Sequence, residues 1–156
     1  MTNLPSPDPR LRLSLSDSGD AAARETIQRG IREFNNNHSP PHRDARQPGS
    51  IRPLDIMVKD KDGRLLGGLT GDTFWDWLEV NDIWLPETLR GQGLGTALLA
   101  AAESEAQRRG CRHVHLKTFG FQARGFYEKQ GYHVVGELAD YPPGTSFYWL
   151  RKELDE

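Results

Sequence analysis

Arg90-Gly91-Gln92-Gly93-Leu94-Gly95 places three glycines at alternate positions between an apolar run, Ile83-Trp84-Leu85, and a long alanine-rich segment. Strand, tight turn and helix start therefore come in that order. Such a turn exposes a row of backbone N–H groups, and the first helical turn adds unpaired donors and the positive end of its dipole. Glycine permits positive φ and close approach of a ligand to the backbone. The stretch is an anion site suited to a phosphate or pyrophosphate. It is not a P-loop, because no Gly-Lys-Ser/Thr follows, and not G-x-G-x-x-G, because Thr96 stands at the third glycine's place. A dinucleotide fold also usually begins with its βαβ unit, whereas here the strand before the turn is fourth or fifth in the chain.

Upstream, residues 51–58 read as a strand, Asp60-Lys61-Asp62-Gly63 as a hairpin turn, and residues 64–70 as the returning strand. Gly71-Asp72 permits another turn, and residues 74–85 form a long aromatic strand. Three consecutive antiparallel strands follow. Downstream, Leu94, Ala97, Leu98 and Ala101 form the buried stripe of a helix, with Glu103, Glu105, Gln107, Arg108 and Arg109 facing water. Gly110 stops that helix, and residues 111–117 are a strand. Strand, turn, helix and strand make a βαβ unit, so this part of the sheet is expected to be parallel. Residues 121–130 read as a short helix, 132–138 as a strand, Tyr141-Pro142-Pro143-Gly144 as a turn and 146–152 as a closing strand.

Residues 1–10 hold three prolines and read as a loose arm; residues 11–156 are expected to form one domain. Leu11, Leu13 and Leu15 alternate with polar residues as a half-buried strand, and residues 21–34 form an amphipathic helix through Ile27, Ile31 and Phe34. Residues 35–50, with three asparagines and three prolines, read as a loop, either plain surface or a wall over a substrate site. The architecture is α/β in the α+β sense: a mixed sheet of six to seven strands flanked by about four helices.

Composition narrows the function. The net charge of −2 gives no general pull toward nucleic acid. No apolar run approaches the roughly 20 residues of a membrane span. The start of the chain lacks the basic and apolar regions of a signal peptide. The single cysteine, Cys111, excludes an internal disulfide, so a reducing cytoplasm fits; the residue reads as a small buried side chain. His113 and His115 share a strand face, yet no third ligand is apparent, so no metal is expected.

With Phe126-Tyr127-Glu128-Lys129-Gln130-Gly131-Tyr132 about 30 residues beyond the glycine turn, the chain resembles the GNAT superfamily of acetyl-CoA-dependent N-acetyltransferases. The hexapeptide matches the family's pyrophosphate loop and the second segment its C-terminal signature; the likeness spans roughly residues 11–152. It implies a splayed sheet that admits acetyl-CoA as donor substrate. Backbone groups of Ile83, Trp84 and Leu85 would pair with the pantetheine arm. N–H groups of Arg90, Gly91, Gln92, Gly93, Leu94, Gly95 and Thr96 would hold the pyrophosphate. Tyr127 would protonate the departing thiolate. The family often has an asparagine seven residues before that tyrosine; Gly120 stands there, and Gln122 is the nearest amide.

Transfer to an amine also needs a group that takes the amine's proton. Glu79 is the first candidate and Asp82 the second. Strict alternation puts Glu79 with Trp77, Ile83 and Leu85, and Asp82 with Val80 and Trp84; a strand bulge would exchange the faces. Phe74-Trp75-Asp76-Trp77 with Asp72, Glu79 and Asp82 could enclose a cationic amine. The expected activity is acetyl transfer to a primary amine of a small cationic molecule. A protein or peptide N-acetyltransferase is the rival, and a non-catalytic acyl-CoA-binding module the other class. A homodimer stays open.

Overall fold

The computed structural model describes residues 2–154 and divides into two units, Met1–Asp44 and Ala45–Glu156. In the first, β1 (Thr2–Leu4) pairs antiparallel with β2 (Leu13–Leu15), so the start of the chain is not wholly a loose arm. Leu11, Leu13 and Leu15 are exposed rather than half-buried, since a three-residue ribbon has no second layer of its own. Helix α1 (Ala21–His38) starts at Asp20, whose carboxylate accepts the Ala23 N–H at 2.9 Å. It runs four residues beyond the expected end. Ser39 then takes an extended conformation before Pro40, and α2 (Pro40–Asp44) follows. Much of the expected 35–50 loop is thus helical, because the three asparagines continue α1 and the proline pair opens α2.

The second unit is a six-stranded sheet in the order β3-β4-β5-β6-β8-β7. Its strands are β3 (Arg52–Lys59), β4 (Leu65–Phe74), β5 (Trp77–Trp84), β6 (His113–Phe119), β7 (His133–Ala139) and β8 (Ser146–Glu153). Helix α3 (Leu94–Arg108) links β5 to β6, and α4 (Arg124–Lys129) precedes β7. β5 and β6 are parallel; the other neighbours are antiparallel.

The expected turn at Gly71-Asp72 lies inside β4 instead. Phe74 pairs with Trp77, and the turn is Trp75 and Asp76, with φ of 50° and 62°. Both central residues at positive φ give the twist that suits a two-residue hairpin. Gly71 serves another purpose. A Cβ there would lie 2.6 Å from the Glu79 carbonyl oxygen, so the glycine lets β4 and β5 approach beside the register shift that leaves Asn81 extra.

The core lies between the sheet and α3. Leu54, Leu69, Leu78, Val80, Val114, Leu116 and Leu150 meet Leu98, Leu99, Ala102 and Ala106. The α3 stripe is therefore turned from the expected one: Ala97 and Ala101 are exposed, and Leu94 is half-buried. Two side chains expected in water are held instead. Arg109 ties the end of α3 to the sheet, donating to the carbonyls of Arg52 and Pro53 and to the Thr73 hydroxyl. Glu103 accepts from Tyr132 Oη at 2.9 Å and from Lys152 Nζ at 2.8 Å.

Gly71→Val is expected to lower the unfolding free energy by about 1–3 kcal/mol, the usual cost of forcing atoms into a filled site. The control is Gly30→Ala on α1, where a Cβ meets nothing within 4 Å, which should leave the melting temperature unchanged or higher.

Candidate active site

β5 and β6 are paired at only four positions, from Trp77–His113 to Val80–Leu116. Beyond Val80, β5 continues along β4 as far as Trp84 opposite Gly68, while β6 continues along β8 as far as Phe119 opposite Phe147. Each strand keeps its outer partner and the two part from one another. The gap holds two clefts. One, of about 500 Å³, is bounded by Ile83, Leu85, Arg90, Gly93, Thr96 and Phe126. The other, of about 340 Å³, is bounded by Asp82, Thr118, Phe119, Gln122, Tyr127 and Phe147.

The glycine turn forms the wall of the first cleft. A single 3-10 turn, Glu87–Leu89, follows β5. Gly91 and Gly93 have φ of 73° and 81°, and Gly93 is the N-cap of α3. Its carbonyl accepts the Ala97 N–H at 3.0 Å. The N–H groups of Leu94, Gly95 and Thr96 precede that first helical bond and have no acceptor within the helix. No acidic side chain occupies the first turn of α3. The dipole's positive end is thus left for an external anion. Arg90 Nε is turned inward, to the Leu85 carbonyl at 2.9 Å, and Gln92 Nε2 donates to the Thr88 carbonyl at 3.0 Å. At the end of β5, Ile83 and Leu85 face the first cleft, while Trp84 is exposed.

The second cleft brings Tyr127 and Asp82 together from α4 and β5. Tyr127 is 8% exposed, its ring edge-on to Phe126 and Tyr132. Burial, and next the Asp82 carboxylate, push its phenol above the ordinary value. Gln122 reaches the same cleft, but its carbonyl oxygen accepts the Phe119 N–H at 2.8 Å and lies 3.3 Å from the Thr118 hydroxyl. Position 120 is tightly enclosed: a Cβ there would come within 2.7 Å of the Thr145 hydroxyl oxygen.

The bulge at Asn81 settles the faces of β5. Leu78, Val80 and Leu85 are buried with α3, and Ile83 packs against the same core. Glu79 therefore does not share a face with Ile83 and Leu85. With Trp77 it lies on the sheet's other face, in a cleft of about 460 Å³ that also includes Phe74, His115 and Trp149. Of the expected cage, Phe74, Trp75, Trp77 and Glu79 line this cleft, whereas Asp72, Asp76 and Asp82 do not. Asp72 accepts from Asn81 Nδ2 at 2.9 Å, Arg151 lies 4.9 Å from the Trp77 ring centre, and Lys117 lies 5.0 Å from that of Trp149. Protein cations thus lie over the Trp77 and Trp149 rings.

His113 and His115 separate in their contacts. His113 Nδ1 bonds the Glu153 carboxylate, and His115 Nδ1 accepts the Trp149 indole N–H at 3.0 Å. Among the described residues no three His, Cys, Asp or Glu side chains gather as a metal site. Cys111 precedes β6 and is buried, which raises its thiol pKa. Among the described residues no helix is long and apolar enough to cross a membrane. Sequence reasoning did not reach the contact of His115 with Trp149. The alternation of His113 and His115 marked the strand face, but Trp149 comes 34 residues later, and only sheet pairing brings it alongside.

A mixed sheet whose parallel pair parts beside a glycine turn and a helix N-terminus is the architecture of an acyltransferase. The model of the acetyltransferase (GNAT) family matches residues 24–132, and the chain belongs to that family. It is 38% identical over 130 residues to a blasticidin-S acetyltransferase of Streptomyces morookaense, covering 80% of this chain and 96% of that one. It is 37% identical over 141 residues to an acetyltransferase of Agrobacterium fabrum, covering 90% and 97%. A crystal structure of an acetyltransferase from Bacillus cereus superposes with a TM-score of 0.76 at 31% identity, covering 90% of this chain and 98% of that one.

Gly120→Asn is expected to lower stability by about 1–3 kcal/mol through its clash with Thr145. Adding Thr145→Ala should restore most of the lost melting temperature.

Proposed function

We propose that the protein moves the acetyl group of acetyl-CoA directly to a primary amine of a small cationic molecule. The observation that carries this reading is the glycine turn and α3 N-terminus opening beside the gap between β5 and β6, with the Tyr127 phenol buried at the same gap. The N–H groups from Arg90 to Thr96 would hold the pyrophosphate, and the backbone of Ile83, Trp84 and Leu85 would hold the pantetheine arm along the unpaired edge of β5. Gln122 has only its amide N–H groups left for the donor, its carbonyl oxygen being engaged.

The chemistry then runs in order. The acceptor's ammonium group loses a proton to a carboxylate, Glu79 in the first place and Asp82 in the second. The neutral amine attacks the thioester carbonyl carbon; a C–N bond forms and the C–S bond breaks. Tyr127 gives its phenol proton to the departing thiolate, and the proton shed by the new amide nitrogen restores the phenol. One proton in total leaves by way of the carboxylate. A raised phenol pKa keeps Tyr127 protonated throughout the neutral range, as this role needs. The small-molecule acceptor is supported by the relative that acetylates blasticidin-S. The carboxylates of Glu79 and Asp82, both on β5, one before the strands part and the other beyond, suit a positively charged amine.

Acetyl-CoA is expected to raise the melting temperature of the wild type. Gly93→Val should abolish that rise while leaving a folded chain, because its φ of 81° costs a β-branched residue about 1–2 kcal/mol at the N-cap. No rise in the wild type would overturn the donor assignment. Tyr127→Phe is expected to lower turnover roughly a hundredfold with little change in acetyl-CoA affinity. Measuring kcat and Kd on the same preparation checks this, and an unchanged kcat removes Tyr127 from the reaction.

A further inference from the structure

We propose that Trp149, His115 and Glu79 form a hydrogen-bonded chain in which His115 is a positioning residue, holding the Glu79 carboxylate where β5 and β6 part so that it takes the acceptor's proton. This rests on the acetyltransferase reading above. Glu79 and His115 are partners in the parallel ladder, and only Val80–Leu116 follows before the strands separate. Their side chains project to the sheet face away from α3.

The order of the chain follows from the chemistry of its ends. An indole nitrogen can only donate, and Trp149 Nε1 donates to His115 Nδ1 at 3.0 Å. A neutral imidazole that accepts at Nδ1 carries its proton on Nε2. His115 Nε2 lies 3.5 Å from Oε2 of Glu79, within reach after a small turn of the carboxylate. The second carboxylate oxygen remains to receive a proton. A charged His115 would aim an N–H at the indole N–H, so Trp149 favours the neutral ring.

The surroundings favour the neutral ring on balance, with Glu79 opposing. Glu79 on β5 is the anion beside the ring. Lys117 on β6 and Arg151 on β8, which is in register with His115, bring positive charge to the two neighbouring indoles, and His113 is bound to Glu153. Burial is the largest influence on His115 and lowers its pKa; Glu79 raises it and Lys117 lowers it. The ring is therefore neutral at neutral pH.

The carboxylate also lies on a route to the reacting centre. Glu79 and His115 border a cavity of about 110 Å³ together with Asn81 and Lys117. Asn81 and Lys117 border the Tyr127 cleft as well. Glu79 and His115 in turn border the aromatic cleft on the outer face. The pair thus stands between an outer opening and the gap where the acetyl group would lie.

The test combines nitrogen NMR of the histidine rings with pH–rate profiles. His115 in the wild type should be the neutral Nε2–H tautomer at neutral pH. Trp149→Phe removes the donor that favours the neutral ring, so the His115 pKa should move up by about one unit, and the acid limb of kcat/KM, set by Glu79, should move down because a charged ring favours the carboxylate. His115→Leu should lower kcat on the order of tenfold with the KM for acetyl-CoA unchanged, the expected loss for one hydrogen bond to a charged group. His115→Gln keeps an N–H toward Glu79 and should recover most of that loss. An Nδ1–H or charged ring at neutral pH, or wild-type kcat and profile in His115→Leu and Trp149→Phe, overturns the inference. If His115→Leu does not fold, His115→Gln and Trp149→Phe decide alone. Glu79→Gln separates the two levels. Wild-type rates in that variant overturn Glu79 as the base, whereas an impaired Glu79→Gln beside unaffected His115 and Trp149 variants overturns only the positioning role.

Discussion

The site depends on two strands that cannot stay together. β5 is bound along its length to β4, and β6 to β8, but the two pair with each other at only four positions. The bulge at Asn81 comes where that pairing ends. A bulge bends its strand and increases the local twist, so the paired segment stops at Val80–Leu116 and the backbone beyond it faces a gap. In a closed sheet that edge would be consumed by ladder hydrogen bonds. The opening places the glycine turn, the buried Tyr127 and Asp82 along one gap, while Glu79 stands on the other face just before it.

Rigid packing around the gap keeps it in place. α3 is anchored at its far end by Arg109, which reaches across to β3 and β4. α3 and the segment after α4 are joined by Glu103, which takes a hydrogen bond from Tyr132 and an ion pair from Lys152. Burial, and next the Glu103 carboxylate, raise the Tyr132 phenol well above its ordinary value, so it remains a donor to that carboxylate. Tyr127 rests edge-on against Tyr132. The placement of the phenol at the gap therefore depends on a polar contact on the far side of the ring it packs against. A carboxylate with so little exposure needs both partners, because leaving a buried charge unpaired is costly.

Much of this was legible in local pattern. The alternating glycines after an apolar run marked a strand, a turn and a helix start, and the βαβ order required a parallel pair. Asp60-Lys61-Asp62-Gly63 read correctly as a hairpin turn, with Gly63 at φ 81°. The misreadings arose where a local signal had two meanings. Gly71-Asp72 looked like a turn, but the glycine serves close backbone approach inside β4, and the turn falls on Trp75 and Asp76. Residues 35–50 looked like a loop because asparagine and proline disfavour helix interiors, yet two of the three prolines, Pro40 and Pro41, sit where a helix begins. The α3 stripe was displaced because an alanine-rich helix offers several nearly equivalent apolar faces, and the choice falls to the sheet it packs on.

The sequence by itself determined the order of elements from β3 to β8, the glycine turn before α3 and the presence of a tyrosine after α3 and β6, because these rest on neighbours within a few residues. Tertiary structure alone decided which face each carboxylate takes. A single extra residue at Asn81 reverses the alternation that strand parity assumes, and its effect depends on the register with β4. Tertiary structure also decided what stands beside His115, since Trp149 lies 34 residues away in the chain and becomes a neighbour only when β8 inserts between β6 and β7. The Arg90-Gly91-Gln92-Gly93-Leu94-Gly95 turn could be read from sequence because its shape resides in the backbone. The surroundings of Glu79 and Tyr127 could not, because they depend on side chains from elements that sequence order does not bring together.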